Sequence, residues 1–324
     1  MIRYVIKRII MIIPVVLLVA IVIFTLMYFT PGSPAEIILG AGATQEEIDN
    51  LSEKMGLNDP YIVQLGRFMY QTFIKFDLGQ SYTTGLSIAS ELSSKFGITL
   101  ILAFSAMVLE VIIGIPLGII AATHKNGIAD HICMLIALIG ISAPSFWIGI
   151  ELLLIFALTL GWLPSYGVVP WTGWILPVIV NALRGIAQMA RQSRSSMLEV
   201  IHADFITTSR AIGLSERTLT YRYALPNALI PVIQTLGNSF GLSLGGTVVI
   251  ENVFSIPGIG QYMVKAISSR DYAIVQSTTI ILAIAFSLVM LVVDIAFGFV
   301  DPKIKAQYAG HVSRSKSRRR AVNA

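Results

Sequence analysis

The chain has 324 residues, 55% of them hydrophobic and 13% charged, and a net charge of +5. A soluble domain carries roughly 25% charged residues. A soluble fold of this composition, with mean hydropathy +0.76, would expose large apolar patches, so the composition points to an integral membrane protein.

In chain order, Met1–Arg8 carries Arg3, Lys7 and Arg8, and Ile9–Tyr28 is almost free of polar residues. About 20 apolar residues span a bilayer as a helix. This run exceeds a signal-peptide core and lacks an A-x-A cleavage site, so it reads as a permanent first span. Thr30–Gly97 is the longest polar stretch and is rich in acids. Within it, Thr44–Met55 predicts an amphipathic helix opened by a capping box of Thr44 and Glu47. Tyr61–Phe76 has apolar groups at helical spacing, which predicts a helix lying on the membrane or the bundle.

Ile98–Thr123 predicts a second span, His124–Asp130 a short turn, and Ile132–Leu160 a third span broken by Pro144. Cys133 lies in that run as a small buried hydrophobe, and as the sole cysteine it has no intrachain disulfide partner. The loop Gly161–Trp174 carries Trp162, Tyr166, Trp171 and Trp174 and no Lys or Arg, a composition suited to a membrane interface. Ile175–Val200 predicts a fourth span whose second half turns polar, Ala228–Ile250 a fifth and Tyr272–Val300 a sixth. The Gly241–Gly246 stretch suits close helix packing. The basic tail Lys303–Ala324 suits an anionic inner membrane surface better than nucleic acid.

Between the fourth and fifth spans lies the polar stretch Ala203–Asn227, too polar to lie in lipid. Ala203–Ile212 predicts a short helix with Asp204 in its first turn. Gly213 ends it in the left-handed conformation that closes many helices. Ser215 caps a second short helix, and Pro226 opens the next apolar run at a helix N-terminus. With the N-terminus inside, 16 of the 23 Lys and Arg lie on inner segments and 6 on outer loops, Arg184 sitting within the fourth span. The short loops therefore place both termini and Ala203–Asn227 in the cytoplasm.

Glu110, Glu151, Arg184 and Asp294 fall within predicted spans, where a charge marks either a pathway or a structural pair. No G-x-x-x-x-G-K-[ST] loop is present, so the chain lacks the phosphate cradle of an ATPase. His124, His131, His202 and His311 show no paired ligand spacing, and no metal site is expected.

With six spans and this cytoplasmic element, the chain resembles the permease subunit of binding-protein-dependent ABC importers, in the dipeptide, oligopeptide and nickel group. The family signature is E-A-A-x-x-x-G, nine residues, then I-x-L-P. Gly213 and Leu225–Pro226 match its spacing, and Arg210–Ala211 fit the common pair before the glycine. Thr207, Thr208 and Ser209 depart from E-A-A, and Tyr223 replaces the isoleucine. TPGSPAE at Thr30–Glu36, DLGQS at Asp77–Ser81, APSFWIG at Ala143–Gly149, GWLPSYG at Gly161–Gly167, ENVFSIPGIGQYM at Glu251–Met263, RDY at Arg270–Tyr272 and DPKIK at Asp301–Lys305 also match.

The resemblance implies an all-α integral membrane protein with six transmembrane helices and the type I ABC importer (MetI-like) permease fold. Its expected parts are an N-terminal span and long extracytoplasmic loop (1–97), a five-span core (98–305) and a basic cytoplasmic tail (306–324). It implies a non-catalytic subunit that binds no cofactor, with ATP and Mg used by two partner ATPase subunits. A second, homologous permease and an extracytoplasmic solute-binding protein complete the expected assembly in the cell membrane. Asp204, Arg210, Ala211, Gly213, Glu216, Arg217, Leu225 and Pro226 are the expected ATPase-coupling residues. Glu251, Asn252, Phe254, Pro257 and Gly258 are expected at an outer gate or receptor-facing loop. Short peptides are the default cargo and a chelated metal such as nickel the alternative. A proton-coupled secondary transporter is the alternative of another class, since it too would use intramembrane acids.

Overall fold

The structure, a computed structural model, describes residues 2–40 and 42–300. The basic tail lies outside the described residues. Helix α1 (Ile2–Tyr28) is the first span. After it come α2 (Pro34–Leu39), capped by Ser33, and α3 (Gln45–Met55), whose Thr44–Glu47 capping box forms as the sequence predicts. Helix α4 (Tyr61–Phe73) lies against α1: Phe68 stacks on Phe24 at 5.2 Å, and the Thr25 and Tyr61 hydroxyls share a 2.8 Å hydrogen bond. Phe68, Met69 and Phe73 of α4 pack in one cluster with Val16 and Ala20 of α1 and Ile280 of the last described helix.

Helix α5 (Ile88–Leu109) continues through a π turn (Glu110–Gly114) into α6 (Ile115–Thr123). The second span therefore begins ten residues before the predicted boundary. Helix α7 (Ile128–Ser142) is followed by α8 (Ser145–Leu152) and a second π turn (Leu153–Thr159). These two arms meet at 100°, so the expected third span is a sharply broken one. The break falls at Ala143–Pro144, where proline lacks the N–H and disfavours helical backbone in the residue before it; Ala143 is extended, with ψ 134°.

A 3-10 turn (Trp171–Trp174) leads into α9 (Ile175–Ile201), and α10 (Asp204–Ala211) follows. Helix α11 (Glu216–Thr218) runs without interruption through a third π turn (Leu219–Ala224) into α12 (Leu225–Val253). The second short helix expected after Gly213 is thus the first turn of the next long helix, and Pro226 lies inside that helix. A proline ring collides with the carbonyl four residues earlier. For Pro226 that residue is Arg222, within the widened π turn, and for Pro116 it is Ile112, within the first π turn. Both prolines sit two residues beyond a π turn, which gives the ring room without ending the helix. Helices α13 (Ile259–Ser268) and α14 (Tyr272–Val300) complete the described chain.

Among the described residues, four helices are long and apolar enough to cross a membrane, or five with the bent pair. The remaining expected span, α12, has 29 residues, about 43 Å of helix. It carries Gln234, Asn238, Ser239 and Ser243 and falls short in apolarity. It packs against α5, α8, α9, α13 and α14; Ser243 accepts from Asn181 and Ser239 donates to Glu110, while Gln234 and Asn238 are exposed.

Helix α9 is the hub, packed on α5, α6, α7 and α12. Its buried face uses small or flexible residues such as Ala182, Gly185, Met189, Ala190, Ser193 and Met197. The facing helix matches them. A Cβ on Gly114 would come within 2.6 Å of the Met189 Cβ, and one on Gly118 within 2.4 Å of the Ser193 Cβ. Close backbone approach replaces the hydrophobic drive that lipid does not supply. On the other side of α12, a Cβ on Gly241 would meet Met290 and Phe286 of α14 at 2.6–2.8 Å, the packing role expected for that glycine stretch.

Candidate functional site

At one end of the bundle, α10 projects from the spans. A single side chain anchors it: Ile206 is 1% exposed and packs among Ile119, Met197, Ala224 and Ala228. Asp204, Arg210, Ala211, Gly213, Glu216, Arg217 and Pro226 are exposed, and Leu225 is half-buried. Gly213 has φ +90°, and no neighbour crowds a Cβ there; the demand for glycine is conformational. Across this bend the Arg210 Nε donates to the Glu216 carboxylate at 2.6 Å, with a second contact at 3.2 Å. The pairing holds the Glu216 carboxyl below its ordinary value and the Arg210 guanidinium above its own. Ser215 caps α11 through the Thr218 amide. Phe205 is 44% exposed and Ile212 74%. The element is therefore a braced elbow on which the apolar side chains of Phe205 and Ile212 are uncovered.

The intramembrane charges separate into two kinds. Asp294 of α14 meets Arg8 of α1 at 2.8 Å, a structural pair near the inner end. Glu110 is 2% exposed and accepts from Ser239 at 2.8 Å. Its carboxyl lies over Gly185, where an added Cβ would be 1.9 Å from its Cδ, so it is enclosed by protein. Glu151 is half-buried and has no hydrogen bond or ion pair among the described residues. Arg184 is exposed about a third of the way along α9, lining a groove of about 660 Å³ with Gln188, Arg191, Gln192, Arg194, Ser195 and the apolar Met134 and Ile141. Arg194 is held by Asp130 in a two-pronged pair at 2.6 and 2.7 Å. Asp130, 3% exposed, also accepts from the Asn126 amide and ties the start of α7 to α9. The sequence reading assigned no role to this pair.

At the opposite end, motifs far apart in sequence close on one another. Glu251, fully buried in the last turn of α12, accepts from the Thr99 hydroxyl at 2.6 Å and the Gln261 amide at 3.0 Å. Thr99 in turn accepts from the Ile259 amide at 2.9 Å. A carboxylate thus satisfies the N-terminus of α13, as helix geometry favours. Gly258 passes so close that a Cβ would be 2.4 Å from the Glu251 Cδ. Phe254 is 2% exposed in a core with Leu102 and Val180; Asn252 binds its own helix, and Pro257 is exposed. Asp271, absent from the sequence reading as a site, caps α14 and accepts from the Ser81 hydroxyl at 2.7 Å and from Thr83. Ser277 donates to the Leu78 carbonyl and Tyr272 to the Pro31 carbonyl. Burial, with Asp271 nearby, pushes the Tyr82 phenol up to about 12. The TPGSPAE and DLGQS stretches are thus hydrogen-bonded to RDY and the start of α14, and ENVFSIPGIGQYM is tied to α5 through Thr99.

The described chain is a helical membrane bundle with a braced elbow at one end and a polar groove along its hub helix. Residues 114–306 match the family of binding-protein-dependent transport system inner membrane components, and residues 1–103 match the N-terminal region of such membrane components. The chain belongs to this family: it is a non-catalytic, multi-pass inner-membrane permease of a binding-protein-dependent ABC importer. It is 38% identical to the dipeptide transport system permease protein of Alkalihalophilus pseudofirmus, over 94% of this chain and 100% of that one. It is 37% identical to the glutathione transport system permease protein of Escherichia coli O6:H1, over 94% and 99%. Among solved structures, an inward-facing form of the MetNI methionine ABC transporter matches with a TM-score of 0.56 at 19% identity, over 65% of this chain and 97% of that one, which supports the MetI-like fold.

Proposed function

We propose that this permease forms one half of the pathway of an ATP-driven importer of short peptides, powered through the elbow at 203–227. The carrying observation is the elbow itself: Ile206 sunk in the bundle, Arg210 and Glu216 bracing the bend at Gly213, and Phe205 and Ile212 uncovered. The two apolar side chains seat in a groove on a cytoplasmic ATPase subunit. Closure of the ATPase pair moves α10, and Ile206 together with the unbroken helix from Glu216 to Val253 passes that motion to the spans. A homologous second permease supplies the other half of the pathway, and an extracytoplasmic binding protein delivers the cargo to the outer assembly. The division into residues 1–97, 98–305 and 306–324 belongs to this reading. Peptide cargo is supported by relatives named for dipeptide and glutathione transport at 37–38% identity.

The testing experiment is uptake of a labelled dipeptide into vesicles holding the whole importer, driven by ATP and compared with an imposed proton gradient. Uptake with ATP alone is expected. Uptake with a proton gradient and no ATP contradicts the reading in favour of a secondary carrier.

A further inference from the structure

We infer that the groove along α9 is a cationic track that engages carboxylate groups of the cargo, with Arg184 and Arg191 as its two stations. This rests on the import reading. Arg184, Gln188, Arg191 and Ser195 follow at intervals of four, three and four residues, which places them on one helix face, and all four are exposed. The opposite face is the packed one already described. Arg184 sits 13 residues from the start of the 31-residue span Trp171–Ile201, about 20 Å along it, near the middle of the bilayer.

A guanidinium exposed to lipid at that depth is strongly disfavoured, and such residues face water, a partner or a pathway. Of the other span charges, Arg194 pairs with Asp130, Asp294 pairs with Arg8, and Glu110 is enclosed over Gly185; Glu151 is half-buried and does not line the groove. Arg184 and Arg191 have no ion pair or hydrogen bond among the described residues. They line the same groove, whose volume lies in the range of small-ligand sites. Guanidinium groups bind carboxylates in a two-pronged geometry, and a peptide at neutral pH always carries its terminal carboxylate. Seven residues separate the two stations, about 10 Å along the axis. Two sites at that spacing hand one carboxylate onward without either holding it too tightly, which conduction requires. The apolar Met134 and Ile141 opposite are available to peptide side chains of many kinds, so the carboxylate is the constant feature recognised.

The test uses the full importer in vesicles, with its ATPases and binding protein, and trialanine as the probe. Arg184→Gln with Arg191→Gln is expected to lower uptake about tenfold or more, the loss of a charge-assisted hydrogen bond. Receptor-stimulated ATP hydrolysis should stay within about twofold of wild type, and Arg184→Lys with Arg191→Lys, which keeps the charge and loses the two-pronged geometry, should restore part of the uptake. Should the double Gln change fail to assemble, Arg191→Gln alone carries the same comparison. Unchanged uptake overturns the inference. So does a parallel fall in hydrolysis and uptake that Lys does not restore, which would assign the arginines to subunit contacts. If the wild-type importer takes up no trialanine with ATP, the peptide reading itself fails, a result separate from uptake that is normal in the variants.

Discussion

The most constrained residues are carboxylates enclosed by glycines. Glu251 holds the Thr99 hydroxyl and the Gln261 amide, so Glu251→Ala leaves buried donors unpaired at about 1–3 kcal/mol each. Thermal unfolding in detergent should show the loss, with Glu251→Gln retaining more stability than Ala. Gly185→Ala drives a methyl into the Glu110 carboxyl, an overpacking that costs about 1–3 kcal/mol; combination with Glu110→Ala should recover part of it. Neither partner is legible in sequence. Glu110 reads as a pathway or pairing charge, and only the fold reveals that a serine and a glycine from other helices enclose it. Asp294 is different: an acid near the inner end of the last span invites a basic partner, and Arg8 provides it.

At the scale of elements, the elbow was the most legible part, because its signals are local. Glycine at a helix end, a serine cap and an acid in the first turn all act within a few residues, and the structure realises each one. The second short helix misled because Pro226 normally marks a helix start, whereas a π turn lets the helix run through it. The Arg210–Glu216 brace depends on the bend's geometry. Glu216 has its folded value lowered, so its contribution is complete above the ordinary glutamate value of 4.5 and is lost as pH falls through the lowered one. Arg210, raised, stays charged throughout, and coupling should be insensitive to pH near neutrality. Exchanging the charges, Arg210→Glu with Glu216→Arg, should recover uptake that Arg210→Glu alone loses, as read in a vesicle assay.

For the whole molecule, composition and Lys/Arg distribution made the membrane class and the order of long helices readable, since both follow from transfer out of water. The count of spans was harder. The broken third span turns by 100° at a proline, and α12 carries polar side chains, of which Ser239 and Ser243 bond to neighbouring helices, so hydropathy alone understates it. The outer assembly was visible as motifs without any sign that Asp271 and Glu251 join them, because those bonds link residues 152 to 190 positions apart.

The central claim is that ATP-driven movement enters the permease through the uncovered side chains of the elbow. The direct measurement is ATP-driven peptide uptake by reconstituted importer carrying Ile212→Asp, with Gly213→Pro and Asp204→Arg alongside, each checked for membrane insertion. Inserted permease is expected in each case, with loss of co-purifying ATPase for Ile212→Asp and abolished uptake for all three. Wild-type uptake in any inserted variant would contradict that claim.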